Sequence, residues 1–373
     1  MDAEMASWKS TGTYVDKVPP PGENIVSGMW IFRVKRPPGS PPVFKARYVA
    51  HGFSQRQGVD FFQTFSPTPK MTTLRVLLHV AAQHDYELHS LDFSTAFLQG
   101  SLHEEIWLRR PPRFTGSFPH GTQWSLLRPV YGLRQAPREW HDTLRTTLAA
   151  LGFAPSIADP SLFLRTDATL PPFYVLVYVD DLVFAIADTE ALAHVKSELA
   201  QRTITLTLSH MVQQVLQRFG FTSSSPLSTP LPTGHSLSAP PSDESSTRSS
   251  SVLSSSCEAE IYAGAMVAQE LRWLTYLLTD LGEAPRSPPV LYVDNKAMLA
   301  LCQEHRLEHR TKHIALRYFL ARELQQRGQL RLAYVASQAN TAEVFSKALQ
   351  SCDHQHFCTV LGLVPTVPHL LTS

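Results

Sequence analysis

Two adjacent carboxylates, Asp180 and Asp181, lie between the apolar runs 173–177 and 182–186. Both runs have the composition of β-strands, so the acidic residues are predicted to occupy the turn of a hairpin. Unpaired charges are costly in a core, whereas Mg²⁺ takes carboxylate oxygens as ligands and explains an acidic pair at this position. One Asp pair cannot build a two-metal site, so a third carboxylate is expected from elsewhere. Asp92, which ends another apolar segment, can supply it.

Four motifs resemble the reverse transcriptase of copia-type LTR retrotransposons, and they occur in that family's order. The motifs are KARYVAHGFSQ at 45–55, DFSTAFLQG at 92–100, PVYGLRQAP at 129–137 and the Tyr-Val-Asp-Asp turn at 178–181. A single Tyr-x-Asp-Asp motif is common and is weak evidence, so the resemblance is based on all four motifs in their order. The resemblance extends with gaps to about residue 350. It implies an RNA-directed DNA polymerase that adds deoxynucleoside triphosphates to a primer on an RNA or DNA template.

The resemblance implies that Asp92, Asp180 and Asp181 are the catalytic, metal-binding residues. They would hold two Mg²⁺ ions, with Mn²⁺ as an alternative, and clamp the attacking and leaving oxygens in line. Asp92 and Asp180 are expected to bridge the ions, and Asp181 to bind or tune the ion at the primer terminus. The alternative is a set of surface carboxylates without a metal.

Nucleotide and phosphate contacts are expected in the same region. The residues are Lys45, Arg47, Phe93, Phe97, Tyr131, Gly132 and Arg134. Segments 30–35 and 44–49 alternate in side-chain character and are predicted to form a hairpin with a Pro-rich tip. Lys35, Lys45 and Arg47 fall together on it, either as phosphate contacts of the polymerase fingers or as a solvated basic face.

The aromatic and glycine residues of the motifs have more than one interpretation. Phe93 can offer a metal only its backbone carbonyl. Phe97 is either an aromatic wall that excludes a ribose 2′-hydroxyl or a core residue. Tyr131, Gly132 and Arg134 resemble a segment that packs under the nucleotide, where Gly132 permits close backbone approach and Arg134 can reach a phosphate.

The order of predicted elements favours an α+β fold, with reverse-transcriptase fingers and a palm that contains a split βαβ sheet. Thr72 and Thr73 are predicted to cap a helix, and Pro137 to open a second helix. An incomplete ribonuclease H-like α/β domain is expected to follow. The predicted boundaries are an N-terminal lead-in at 1–20, fingers and palm with a rudimentary thumb at 21–221, a Ser/Pro-rich linker at 222–256, the partial ribonuclease H-like domain at 257–350 and a tail at 351–373.

The ribonuclease H resemblance rests on residues 254–260, 293–296 and 310–314. Glu260 and Asp294 match two carboxylate positions of that family, but the first Asp and its strand are missing. Glu343 stands where the family usually has Asp, and its longer side chain displaces the oxygens by about a bond length. We therefore expect ribonuclease H activity to be lost.

The family's primer-holding strand pair is also missing after residue 200, as are the integrase and protease. The chain resembles a fragment or an internally deleted copy of a retrotransposon polyprotein. Three interpretations remain: an active polymerase, an inactive remnant that binds nucleic acid weakly, and a degraded reading frame with no cellular role.

Composition adds bounds on domain number and compartment. The 373 residues, 43% of them hydrophobic, allow two or three domains, and a net charge of +1 requires any nucleic-acid surface to be local. Four Cys are too sparse for a disulfide scaffold, and no membrane span or signal pattern is evident, so a cytoplasmic or nuclear location is expected. Cys352, His354, His356 and Cys358 have a spacing untypical of structural zinc sites, and a polar-faced helix is predicted there.

Overall fold

A computed structural model describes residues 1–36, 41–93, 95–112, 120–201, 206–208, 256–303, 320–346, 349 and 351–361. The chain divides into two units, residues 1–215 and 216–373. The helix predicted at 209–219 and nearly all of the predicted linker lie outside the described residues.

The first unit is built from both helices and strands. Its described helices are α1 (Asp2–Ser10), α2 (Met71–Gln83), α3 (Ala136–Ala150) and α4 (Thr189–Gln201). Its described strands are β1 (Tyr14–Lys17), β2 (Ile25–Val26), β3 (Gly28–Lys35), β4 (Val43–Ala50), β5 (Glu87–Phe93), β6 (Ile106–Leu108), β7 (Gln123–Leu126), β8 (Phe153–Pro155), β9 (Leu162–Arg165), β10 (Phe173–Tyr178), β11 (Asp181–Ile186) and β12 (Leu206–Leu208). The hairpins predicted around residues 37–42 and 178–181 are confirmed as β3–β4 and β10–β11.

A six-stranded antiparallel sheet forms the centre of this unit, in the order β12-β5-β11-β10-β9-β8. Strands β5 and β10 therefore run in the same direction with β11 between them. Alternate residues such as Val175 and Phe184 pack against α3 and α4, represented by Leu144 and Val195. The intervening residues face the other side of the sheet, where α2 contacts β11. Burial on both faces explains the uninterrupted apolar runs of β10 and β11.

A second core lies beneath the sheet β1-β7-β6-β2 and the β3–β4 hairpin. Helix α1 inserts the fully buried Trp8 there, 6.0 Å from the ring of Tyr48 and 5.7 Å from that of Trp124. Strand β1 pairs with β7. Residues 1–20, predicted as a lead-in, therefore contribute side chains and a strand to the first unit.

The prediction that Thr72 and Thr73 cap α2 is wrong. The helix begins at Met71 with Lys70 at the N-cap. The buried carboxylate of Asp159, 89 residues away, accepts the Lys70 backbone N–H at 3.1 Å and the Thr73 hydroxyl at 2.5 Å. A distant acid therefore satisfies the helix terminus, which local sequence does not reveal.

The second unit contains a smaller α/β arrangement. Its described elements are α5 (Ser256–Asp280), α6 (Lys296–Gln303), α7 (Leu320–Gln326), α8 (Glu343–Ser346) and α9 (Ser351–Val360), with β13 (Val290–Val293) and β14 (Arg331–Tyr334). The strands are parallel, and a shared apolar cluster joins them to α5, α6 and α7. Helix α9 confirms the helix predicted at the Cys/His segment. Within the described part of the chain, no helix is long and apolar enough to cross a membrane.

Candidate active site

Three carboxylates meet where β5, β10 and β11 reach the same edge of the sheet. Tyr178 pairs with Asp181 in the β10–β11 ladder, which leaves Asp180 within the turn. Asp181 in turn pairs with Asp92 across the β5–β11 ladder. Carboxylate oxygens of Asp92, Asp180 and Asp181 all lie within 4.8 Å of one another. The acids selected from the sequence are thus brought together.

The donor set of this cluster suits a hard divalent cation. It presents oxygen ligands from three residues, of which Asp92 is exposed and Asp180 and Asp181 are half-buried. Like charges this close repel unless a cation or protons offset them, and Mg²⁺ or Mn²⁺ bound by a few carboxylates retains positions for water and phosphate oxygens. The exposure of Asp92 leaves such positions accessible to a ligand.

Two hydrogen bonds fix the turn that carries the acids. Val179 adopts a left-handed conformation with φ of 56°. The backbone N–H of Phe93 donates to the carbonyl of Asp180 at 2.9 Å. The indole N–H of Trp140 donates to the carbonyl of Val179 at 2.7 Å. Trp140 was not selected from the sequence, because a tryptophan on an apolar helix face is indistinguishable from a core residue.

The two phenylalanines expected near the nucleotide differ in placement. The side chain of Phe93 is 2% exposed and packs edge-on against Trp140, so only its backbone reaches the site. Phe97 is half-buried, contacts both cores and lies 4.9 Å from the ring of Tyr131. Phe97 therefore packs against the core, and a role as a wall against a ribose 2′-hydroxyl stays a prediction.

Tyr131 lies between the basic hairpin and the acidic cluster. The guanidinium carbon of Arg47 is 4.6 Å from the centre of the Tyr131 ring, a cation–π contact. Burial raises the pKa of the Tyr131 hydroxyl, Arg47 opposes that shift, and the charges of Asp180 and Asp92 add to it. The phenol therefore stays protonated at neutral pH and can donate a hydrogen bond.

Gly132 makes its close backbone approach to the end of β4. Its φ is 93°, and a Cβ atom there would overlap the carbonyl oxygen of Ala50. The backbone N–H of Ala50 donates to the Tyr131 carbonyl at 2.8 Å. Glycine is therefore required by packing within the chain, and a nucleotide contact at Gly132 stays a prediction.

Arg134 is engaged with the loop that follows β4. Its Nε donates to the carbonyl of Gly52 at 2.7 Å, and its guanidinium lies 5.4 Å from the ring centre of Phe61. The backbone N–H of Arg134 donates to Gln55 at 2.8 Å. The residue fixes this loop, and contact with a phosphate stays a prediction.

One face of the β3–β4 hairpin carries three described basic residues. Arg33 pairs with Lys45, and Ile31 pairs with Arg47. Because directly paired residues of antiparallel strands project from the same face, Arg33, Lys45 and Arg47 share one side of the hairpin. Arg33 was not selected from the sequence. The side chain of Lys35 lies outside the described residues.

A buried amide network secures the loop between β4 and α2 to the start of α3. Gln55 Nε2 donates to Gln135 Oε1 at 3.0 Å, and Gln135 Nε2 donates to the carbonyl of Asp60 at 2.9 Å. Asn24 donates to the Asp60 carboxylate at 2.6 Å. These contacts support the segment that carries Tyr131 and Trp140.

The predicted ribonuclease H positions lie in the second unit. Glu260 is half-buried on α5, and Asp294 is half-buried directly after β13. Glu343 begins α8, but its side chain lies outside the described residues. Among the side chains that the structure describes, the Asp92 cluster is the only group of three or more potential metal ligands.

The chain is similar to a family of known proteins and to two polyproteins of plant transposons. The profile of a family described as reverse transcriptase (RNA-dependent DNA polymerase) matches residues 12–203, more than half of the chain. The Retrovirus-related Pol polyprotein from transposon RE2 of Arabidopsis thaliana is 28% identical over 477 residues, covering 94% of this chain and 33% of that protein. The corresponding polyprotein from transposon TNT 1-94 of Nicotiana tabacum is 31% identical over 260 residues, covering 63% of this chain and 20% of that protein.

A solved structure described as a foamy viral protease-reverse transcriptase in complex with double-stranded DNA covers 59% of this chain and 35% of its own, with 12% identity and a TM-score of 0.30. A TM-score of 0.30 does not support a conclusion about the fold of this chain. The chain spans about a third of the length of the RE2 polyprotein.

Proposed function

Because the chain belongs to the reverse transcriptase (RNA-dependent DNA polymerase) family, we propose that it is a divalent-metal-dependent polymerase of a copia-type retrotransposon. It extends a primer with deoxynucleoside triphosphates on an RNA or DNA template. The observation that carries the proposal is the convergence of Asp92, Asp180 and Asp181, with oxygens within 4.8 Å, on an exposed sheet edge.

In this function, bound Mg²⁺ or Mn²⁺ supplies the charge that activates the primer hydroxyl and stabilises the triphosphate. Asp92, Asp180 and Asp181 would hold these ions. The strand ladder holds Asp181 opposite Asp92, so the fold fixes the spacing of these two carboxylates. Orientation of the reactants by fixed side chains accounts for much of the expected rate enhancement.

The remaining contacts divide between phosphate and sugar. Arg33, Lys45 and Arg47 form a basic surface suited to phosphates. The paired rings of Phe97 and Tyr131 form the wall against the nucleotide sugar and exclude a 2′-hydroxyl.

Strands β5 and β10, which flank β11, correspond to the split βαβ sheet of a palm.

We assign residues 257–350 to a ribonuclease H-like remnant without nuclease activity. The parallel β13–β14 pair packed against helices supports an α/β fold for it. Glu260, Asp294 and Glu343 occupy three ligand positions, but no counterpart of the family's first Asp precedes them. Digestion of an RNA–DNA hybrid should therefore give no cleavage above that of an Asp294→Asn variant.

The second candidate function is an inactive remnant that only binds nucleic acid. One observation favours it: the match to the RE2 polyprotein extends over 477 aligned positions, although this chain has 373 residues. The relative therefore contains internal segments without a counterpart here. Loss of the primer-holding segment after α4 would leave binding intact and abolish extension.

Primer extension on an RNA template with purified full chain and Mg²⁺ tests the proposed function. The Asp180→Asn, Asp181→Asn variant should lower incorporation by at least about a hundredfold. The reason is that the metal ions needed for phosphoryl transfer would lose two of their carboxylate ligands. Asp167→Asn makes the same chemical change in an exposed turn and should leave incorporation unchanged. Equal incorporation by all proteins, or none by the wild type despite template binding, would reject polymerase function.

A further inference from the structure

We propose that Trp140 is a positioning residue that holds the Val179-Asp180 turn and the end of β5 at the separation that metal binding requires. The inference rests on the proposed function and deepens it. It is drawn from one side chain that contacts the residue before Asp180 and the residue after Asp92.

The first contact is with the turn. Trp140 is 1% exposed, and its Nε1–H donates to the carbonyl of Val179 at 2.7 Å. Val179 is β-branched, yet its φ is 56°, a conformation that such residues rarely adopt. A strained conformation persists only where its surroundings determine it. The indole hydrogen bond is one such determinant, and Asp180 is the next residue.

The second contact is with the end of β5. The rings of Trp140 and Phe93 lie 4.9 Å apart at 75°. Phe93 directly follows Asp92, and its backbone N–H donates to the carbonyl of Asp180 at 2.9 Å. Trp140 therefore contacts residues adjacent to two of the three acids, and a displacement of its ring changes the distance between them.

Buried contacts hold α3 on both sides of Trp140. Leu144 and Leu148, on the same face of α3, are buried in the core that contains Phe93. One turn earlier, Gln135 is fixed by the buried amide network. A side chain held from both directions can transmit the position of the helix to the turn.

Trp140→Phe isolates the hydrogen bond, because it keeps an aromatic ring against Phe93 and removes the indole donor. Trp107→Phe is the matched control. Trp107 is 2% exposed, and its indole nitrogen has no hydrogen-bond partner within the described residues. Both substitutions remove the same atoms from a core, so thermal denaturation of the two variants corrects for a general loss of stability.

Two measurements separate positioning from support of the fold. By hydrogen exchange, the amide of Phe93 should exchange at least about tenfold faster in Trp140→Phe than in Trp107→Phe, because its acceptor on Asp180 becomes mobile. In primer extension, Trp140→Phe should lower the maximal rate by about ten- to a hundredfold and raise the Mg²⁺ concentration for half-maximal rate. Trp107→Phe should change neither quantity.

Equal exchange of the Phe93 amide in the two variants would overturn the inference. So would an unchanged Mg²⁺ requirement in an active Trp140→Phe protein. If the wild type does not extend primers, the proposed function fails, and the exchange measurement alone then decides whether Trp140 fixes the turn.

Discussion

Asp181 lies directly opposite Asp92 in the ladder between β11 and β5, at the last position before the turn. The pairing is set by neighbouring apolar residues, because Leu182 pairs with Leu91 and both are buried. A slip of one residue would move every side chain to the opposite face of the sheet. Core packing therefore determines where the carboxylates meet.

Gly132→Ala should destabilise the first unit by more than about 3 kcal/mol. The new Cβ atom would overlap the carbonyl oxygen of Ala50 and lie 2.6 Å from the side chain of Val49. Backbone atoms of a paired strand cannot move aside easily. Chemical denaturation of the purified variant measures the loss.

Gly121→Ala is the control for that measurement. Gly121 also has a positive φ, 81°, but a Cβ atom added to it would have no described residue within 4 Å apart from its chain neighbours. The substitution should cost only about 1 kcal/mol, from backbone conformation alone. Equal losses at Gly132 and Gly121 would show that the close approach between Gly132 and β4 does not exist in solution.

Val179→Gly should leave the protein about 1 kcal/mol more stable than Val179→Ala. Both variants remove the valine side chain, but only glycine adopts the left-handed conformation with φ near 56° without strain. The free energies of unfolding of the two variants can be compared by urea denaturation. A more stable alanine variant would contradict the left-handed turn.

His141 should make stability depend on pH. Burial lowers the pKa of its imidazole, an effect that Arg145 reinforces and Asp142 opposes. The imidazole therefore has a higher proton affinity in the unfolded chain than in the folded chain. Below about pH 6.5 the unfolded chain binds this proton to a greater extent, so the free energy of unfolding decreases as the pH falls.

His141→Phe preserves an aromatic ring facing Phe163 and removes the titration. Relative to this variant, the wild type should become less stable as the pH falls from 7.5 to 5. Urea denaturation of both proteins across this range tests the effect. A pH-independent difference between them would show that His141 is protonated as readily in the folded chain as in the unfolded chain.

Much of the first unit could be predicted because its signals are local. The apolar runs on either side of Asp180 and Asp181 identify β10 and β11, and Pro137 lies in the first turn of α3. The acids themselves were recognisable because carboxylates after apolar strands have few structural reasons to exist.

The contacts that complete the site are non-local and escaped prediction. Asp159 caps α2 from 89 residues away. Trp140 differs from an ordinary core tryptophan only through its acceptor, the carbonyl of Val179, 39 residues further along the chain. Trp8 enters the core from a segment that composition alone marks as peripheral. Such contacts depend on the tertiary fold and leave little trace in local sequence.

The central claim is that acids from two distant segments hold divalent cations together. Titration with Mn²⁺, followed by the paramagnetic resonance signal of the free ion, tests it without requiring catalysis. Asp92→Asn alone should weaken Mn²⁺ binding by at least about tenfold, because Asp92 completes the ligand set formed with Asp180 and Asp181. Equal Mn²⁺ binding by the wild type and Asp92→Asn would contradict the account.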